Sequence, residues 1–172
     1  MQLTEQHIID RNDPHFAIID AAAFKSKNLY NAALYEMRQA FIFQGKRLSY
    51  NQMDKLMQKH ETYKALPAKV AQQVLKQLAE AWKSYFEACE SYREDPSKFT
   101  GHPKLPKYKH KTEGRNLLVY TMQAISGGQT GGKRTLQRGI IQPSQLPLAS
   151  RPNKTQPRSI KFVSSPETGI MS

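Results

Sequence analysis

Val70, Val74, Leu78, Trp82, Tyr85, Cys89 and Tyr92 recur every three or four residues. This is the spacing of one face of an α-helix, held over about six turns. The helix begins at Pro67, and Asp95-Pro96 ends it, because the residue before a proline is pushed out of the helical region. Phe86 widens the stripe. A single helix with so long an apolar face is not stable alone in water and needs other apolar faces to cover it.

The first 66 residues supply two such faces. Asp13-Pro14 reads as a helix start, with Asp13 as N-cap and Pro14 at the first helical position. That helix is expected from Pro14 to about Phe43, stopping at Gly45. Phe16, Ile19, Ala23, Tyr30, Leu34, Met37 and Phe41 form its stripe, with Ala22, Ser26, Leu29 and Ala33 beside it for close approach of a second helix. Ser49 caps the second helix, whose face is Tyr50, Met53, Leu56 and Met57 and whose run ends between His60 and Leu66. The expected core is Ile19, Leu34, Met37, Met53, Leu56, Val74, Leu78, Trp82 and Phe86, with Cys89 as a core residue on the long helix. Burial worth roughly 1.5–3 kcal/mol per large side chain holds such a helical module together.

The charge is divided unevenly. Residues 1–97 carry 13 Lys+Arg against 12 Asp+Glu, whereas residues 98–172 carry 13 Lys+Arg against only two acids, Glu113 and Glu167. The positive charge is therefore a local footprint, suited to phosphate backbones. An anionic membrane surface or a ribosomal type of role also fits it. Its densest part is Gly101–Arg115, where Lys104, Lys107, Lys109, Lys111 and Arg115 face one acid. Pro103 and Pro106 keep this arm out of a helix. Lys107-Tyr108-Lys109 sets cations beside a ring able to stack on a base. Lys133, Arg134 and Arg138 add charge further on. The same stretch also reads as a solvated linker.

Strand signals lie outside the helices. Met1–Ile9 alternates as one strand would. In Asn116–Ile125, Leu118, Tyr120, Met122 and Ala124 make one face and Leu117, Val119, Thr121, Gln123 and Ile125 the other. Ser126–Lys133 reads as a glycine-rich loop and Gly139–Gln142 as a short strand. From Pro143 onward, five prolines and little periodicity read as disorder over most of the stretch.

Signals for chemistry are sparse. Gly127–Arg134 (G-G-Q-T-G-G-K-R) is one residue short of a phosphate-binding loop: Arg134 stands where Ser or Thr holds magnesium, and no helix pattern follows. His7, His15, His60, His102 and His110 have no metal-ligand spacing with one another or with Cys89, the only cysteine. No serine triad order or pair of converging carboxylates can be picked out. The chain is read as a non-enzyme without metal or cofactor. No apolar run approaches a membrane span and no signal pattern opens the chain, so a soluble cytoplasmic protein is expected.

The order of the pieces resembles the N-terminal part of the OrfB/TnpB family of insertion-sequence transposase-associated proteins, relatives of type V CRISPR effectors. The carrying residues are Lys27–Tyr35 (K-N-L-Y-N-A-A-L-Y), Leu48–Asn51 (L-S-Y-N), Leu66–Leu75 (L-P-A-K-V-A-Q-Q-V-L), Ala81–Phe86 (A-W-K-S-Y-F), Pro103–Lys109 (P-K-L-P-K-Y-K) and Tyr120–Ser126 (Y-T-M-Q-A-I-S). They extend across about residues 1–146. The resemblance implies a helical recognition lobe inserted into a small β "wedge" barrel, both embracing a guide RNA and its DNA target. The family's RuvC-like nuclease site and zinc ribbon have no counterpart in this sequence. The resemblance also implies nucleic-acid contacts at Tyr50, Asn51, Gln72 and Gln73, although an exposed helix face explains the two glutamines as well. Codons permitted for Ile160–Ser172 can be read in another frame as Q-V-R-I-V-P-R-N-G-Y-Y-V, a strand of the family type. A frameshift near residues 158–161 of a longer gene is the reading of that tail.

The expected architecture is mainly α with some β. Residues 1–12 form a first strand of the β region and 13–97 a three-helix lobe. Residues 98–146 form the basic arm and the remaining strands of an incomplete barrel, and 147–172 a disordered or frameshifted tail. The expected function is nucleic-acid binding through Lys104, Lys107, Tyr108, Lys109, Lys111 and Arg115, with guide-type RNA or DNA as partner. A helix-turn-helix DNA binder is one alternative, although Glu80, Glu87, Glu90, Glu94 and Asp95 make the long helix a poor major-groove reader. A non-functional remnant of a decayed transposase gene is another. A chain that joins a separately encoded nuclease half is a third.

Overall fold

A computed structural model describes residues 9–121, together with the backbone of residues 125–127, 134–136 and 159–162. The described part is mainly helical. Helix α1 spans Phe16–Gln44, α2 Tyr50–Met57, α3 Glu61–Lys64 and α4 Ala68–Glu94, followed by a 3₁₀ turn at Pro96–Lys98. Four short strands follow: β1 Leu118–Thr121, β2 Ile125–Gly127, β3 Arg134–Leu136 and β4 Ser159–Phe162.

The helix ends follow local chemistry. At the start of α1, Asp13 does not cap the helix as expected. Its Oδ1 accepts the His15 backbone N–H at 2.8 Å and contacts His15 Nδ1 at 2.6 Å, forming a turn that delays the helix to Phe16. The other end matches expectation: Gly45 takes φ +63°, a conformation that suits a residue without a Cβ, and Lys46 N–H reaches back to Ala40 O at 3.0 Å. Ser49 and Gln52 form a reciprocal capping box on α2. Pro67 sits just before α4 and Asp95 ends it. The stretch between α2 and α4 gains a helical turn of its own, α3, capped by the His60 side chain. It carries Tyr63 into the core, where its hydroxyl donates to Asp54 Oδ1 at 3.1 Å.

α4 packs on α1 and α2, and β1 packs on α4 and α1. Ile19, Leu34, Met37, Met53, Val74, Leu78 and Trp82 are all buried, as the periodicity requires. Three expected core positions differ. Leu56 is 49% exposed. α2 is only two turns long and turns Met53 and Met57, four residues apart, inward, leaving Leu56 off that face. Phe86 is partly buried, in an aromatic cluster where Phe41 meets Trp82 and Phe86 edge-on at 5.4 and 5.5 Å. Cys89, one turn beyond Phe86, is only half-buried.

β1 places Leu118 and Tyr120 in the main core, and Val119 on the opposite face is buried as well. β1 pairs antiparallel with β4, Leu118 opposite Phe162 and Thr121 opposite Ser159. Ser159–Phe162 is thus a short strand within a tail that reads as mostly disordered. A strand buried against two helices has edge N–H and C=O groups that need a partner, and the Ile-Lys-Phe run supplies one. β2 pairs antiparallel with β3, Gly127 opposite Arg134. Ser126 and Gly127 thus belong to a strand, not the expected loop, and the backbone at Arg134 enters a strand where a phosphate-binding loop needs a helix. These are two separate two-stranded pairings, and no barrel is formed among the described residues. The expected strands at residues 1–8 and 139–142 lie outside the described residues.

Two outcomes test this packing. Leu78→Ala, at a fully buried position, is expected to lower stability by about 2–5 kcal/mol in chemical denaturation. Burial pushes the Tyr63 and Tyr120 phenols up to about 12, with Asp54 adding to the shift at Tyr63. Below the ordinary value of 10.0 both phenols are protonated in folded and unfolded chains alike. Above it the unfolded chain gives up protons that the folded chain keeps, so stability falls as pH rises from 10 toward 12. A pH titration followed by circular dichroism and phenolate absorbance should show these two phenols ionising only as the fold is lost.

Candidate nucleic-acid interface

The basic arm is extended, as its prolines demand, but it is not a free linker. Leaving the 3₁₀ turn, it packs Phe99 and His102 against Tyr92, with ring centroids at 5.6 and 4.5 Å. Leu105 then rests on the main core. From Lys109 to Arg115 the arm lies antiparallel along one edge of α1. The Asn31 side-chain amide imitates a strand partner: its Nδ2 donates to Lys109 O and its Oδ1 accepts from Lys109 N, both at 2.9 Å. One turn earlier, the buried Lys27 ammonium donates to Lys111 O and lies 3.7 Å from the centre of the Phe24 ring. Burial, with the nearby Arg115 charge, holds Lys27 below the usual lysine pKa.

The arm then makes a tight turn. His110 Nδ1 accepts the Glu113 N–H at 3.2 Å, and Gly114 lies so close to the His110 backbone that a Cβ would stand 2.5 Å from its carbonyl oxygen. Glycine is required there by space. Arg115 closes the segment with a bidentate pair to Asp20, 2.6 Å from Nε to Oδ1 and 2.7 Å from Nη2 to Oδ2. These bonds raise the guanidinium pKa further. Buried Asn116 follows: its N–H donates to Ala23 O at 3.3 Å, and its Nδ2 reaches Ser26 Oγ at 3.0 Å and Gln77 Oε1 at 3.2 Å. Ser26, expected beside the stripe to admit a second helix, instead meets the residue that leads into β1.

Asp20, Ala23, Lys27 and Asn31 thus hold successive parts of the arm from a single helix edge. Lys104, Lys107, Lys109 and Lys111 are exposed and form no ion pair among the described residues. Lys104, Lys107, Tyr108 and Lys109 line a shallow cleft of about 470 Å³ with Tyr30 of α1 and Ala81, Ser84 and Tyr85 of α4. The Arg38 guanidinium lies over the Tyr108 ring at 5.2 Å, and the Lys109 ammonium over the Tyr30 ring at 5.3 Å.

No family model matches the chain, and no curated protein is significantly similar to it.

The sequence-derived site residues therefore divide. Lys104, Lys107, Tyr108 and Lys109 converge on the cleft. Lys111 is exposed beyond it, and Arg115 has its charge matched by Asp20. Tyr50 lines a different cavity, with Phe41 and Trp82, and burial raises its phenol pKa, with the Asp54 charge adding to the shift. Asn51 is exposed beside it on α2, and Gln72 and Gln73 are half-buried on the first half of α4. Arg134 is placed in β3 by its backbone, and Lys133 and Arg138 lie outside the described residues. Sequence reasoning missed the anchors Asp20, Lys27 and Asn31 and the ring partner Arg38. Their signal was polar residues at helical spacing, on a helix edge next to its apolar stripe.

Asn31→Ala removes both hydrogen bonds to Lys109. The expected outcome is local: amide hydrogen exchange at Lys109 rises at least about tenfold, while the buried segment of α4 keeps its protection. Equal loss of protection across α4 would show that the contact supports the whole fold.

Proposed function

We propose that this chain is a nucleic-acid-binding lobe of the OrfB/TnpB type, without a nuclease site among its residues. One observation supports it above the others. The cationic arm is anchored along α1, and its Lys104, Lys107, Tyr108 and Lys109 side chains gather at one cleft without matching carboxylates. A solvated linker has no reason to fix its backbone in this way, because ordering an extended segment costs conformational entropy. A phosphate backbone laid along the arm releases counterions at each lysine.

In this reading α1–α4 form the recognition lobe, and the β1/β4 and β2/β3 pairings are strands of the wedge region. The partner is a guide-type RNA, a DNA, or both. Among the described residues, no group of three or more His, Cys, Asp or Glu side chains lies close enough to hold a metal ion, and no helix is long and apolar enough to cross a membrane.

The test is binding of the whole chain to a structured RNA and to duplex DNA across a salt series. Tight binding with a steep salt dependence is expected for at least one of them. Changing Lys104, Lys107, Lys109 and Lys111 to alanine should weaken it and flatten the log–log salt slope by about 3. Weak binding that ignores both salt and these substitutions would return the arm to a linker.

A further inference from the structure

We propose that the cleft between the arm and α4 receives one unpaired base of a single-stranded nucleic acid, with Tyr108 as its stacking platform. This inference rests on the nucleic-acid reading above and specifies its ligand.

Tyr108 is 44% exposed, one of few large aromatic side chains left so open among the described residues. Its neighbour Lys109 is fixed at both backbone groups by Asn31, and the Arg38 guanidinium lies over its ring. The ring is therefore held in place before any ligand arrives, which lowers the ordering cost of binding. Around it, Tyr85 and Pro106 offer apolar surface, and Lys104, Lys107 and Lys109 stand on the same cleft. A ring flanked by cations on an extended backbone matches the way single strands are held, with bases on aromatic faces and phosphates on lysines.

A double helix does not use such a site. Its bases are paired and stacked inward, and its major groove is read by a helix or a β-ribbon inserted into it. The element displayed here is an irregular extended segment lying against two helices. Only an unpaired base has a face free to meet Tyr108.

The experiment uses the full chain and a fluorescein-labelled, unstructured strand of about 12 nucleotides. The strand is supplied as RNA and as DNA, each alone and fully paired. Wild type is expected to bind a single strand more tightly than its duplex. Tyr108→Ala should cost the single strand about tenfold or more in affinity and leave the duplex within about twofold. Tyr108→Phe, which keeps the ring, should retain wild-type binding. A second measurement does not depend on any variant folding: 2-aminopurine at the centre of the strand should be quenched when wild type binds. Unquenched binding, an unchanged affinity for Tyr108→Ala, or equal losses on strand and duplex would overturn the base site. If Lys104, Lys107 and Lys109 changed together to alanine still weaken binding in those cases, the nucleic-acid reading survives without it. If wild type shows no salt-dependent binding to any probe, the nucleic-acid reading itself fails and the base site with it.

Discussion

An extended segment interrupted by proline has backbone groups that no regular ladder satisfies, and in this chain α1 satisfies them with side chains. The two hydrogen bonds of Asn31 to Lys109, the Lys27 bond to Lys111 O and the Arg115–Asp20 pair run down one edge of the helix. Asn116 completes the line by joining α1, α4 and the entry to β1 through Ser26 and Gln77. The seating of β1 against the helices rests on this line together with the burial of Leu118 and Tyr120. A neutral bond in this line is worth only about 1 kcal/mol net and a bond to a charged group somewhat more, but losing one partner of a buried group costs more than the bond itself contributed. The line therefore specifies where the arm lies more than it adds to total stability.

Lys27 shows how far that specification goes. A buried ammonium is costly, and its depressed pKa records the cost. The structure offsets it with the Lys111 carbonyl and the face of Phe24. Phe24 serves both cations, since the Arg115 guanidinium is 5.1 Å from the same ring. Two positive groups share one ring. This arrangement holds only if the arm and the helix keep a single register, so a slipped arm would leave a buried charge without acceptors.

The helices were legible because their cause is local and periodic. Val70 to Tyr92 announces α4, and Gly45 and Ser49 announce the break between α1 and α2. Leu56 was misread because a two-turn helix turns only one narrow face inward, and pattern alone does not say which of two adjacent leucine-like positions that face takes. The β4 partner of β1 was illegible for a different reason. Its strand lies about 40 residues downstream of β1 among prolines, and only the unsatisfied edge of β1 gives Ser159–Phe162 a reason to be extended. At the site, the lysines and Tyr108 were visible as composition. Their anchors were not, because Asp20, Lys27 and Asn31 look like ordinary polar residues until the arm is laid beside them.

α4 carries an acidic series that by itself would repel a phosphate backbone, and the fold separates that series from the cleft. The side chains α4 offers to the cleft are Ala81, Ser84 and Tyr85, all uncharged. Glu87 and Glu90 instead border the cavity at the C-terminal end of α1, beside Lys46, Arg47 and Lys83, and Lys83 lies 3.8 Å from Glu87. Glu87 thus meets a cation of its own, and Arg47 covers the Phe86 ring at 3.2 Å. No carboxylate is among the residues that line the cleft, so the charged groups gathered there are the arm's own lysines, with Arg38 over Tyr108.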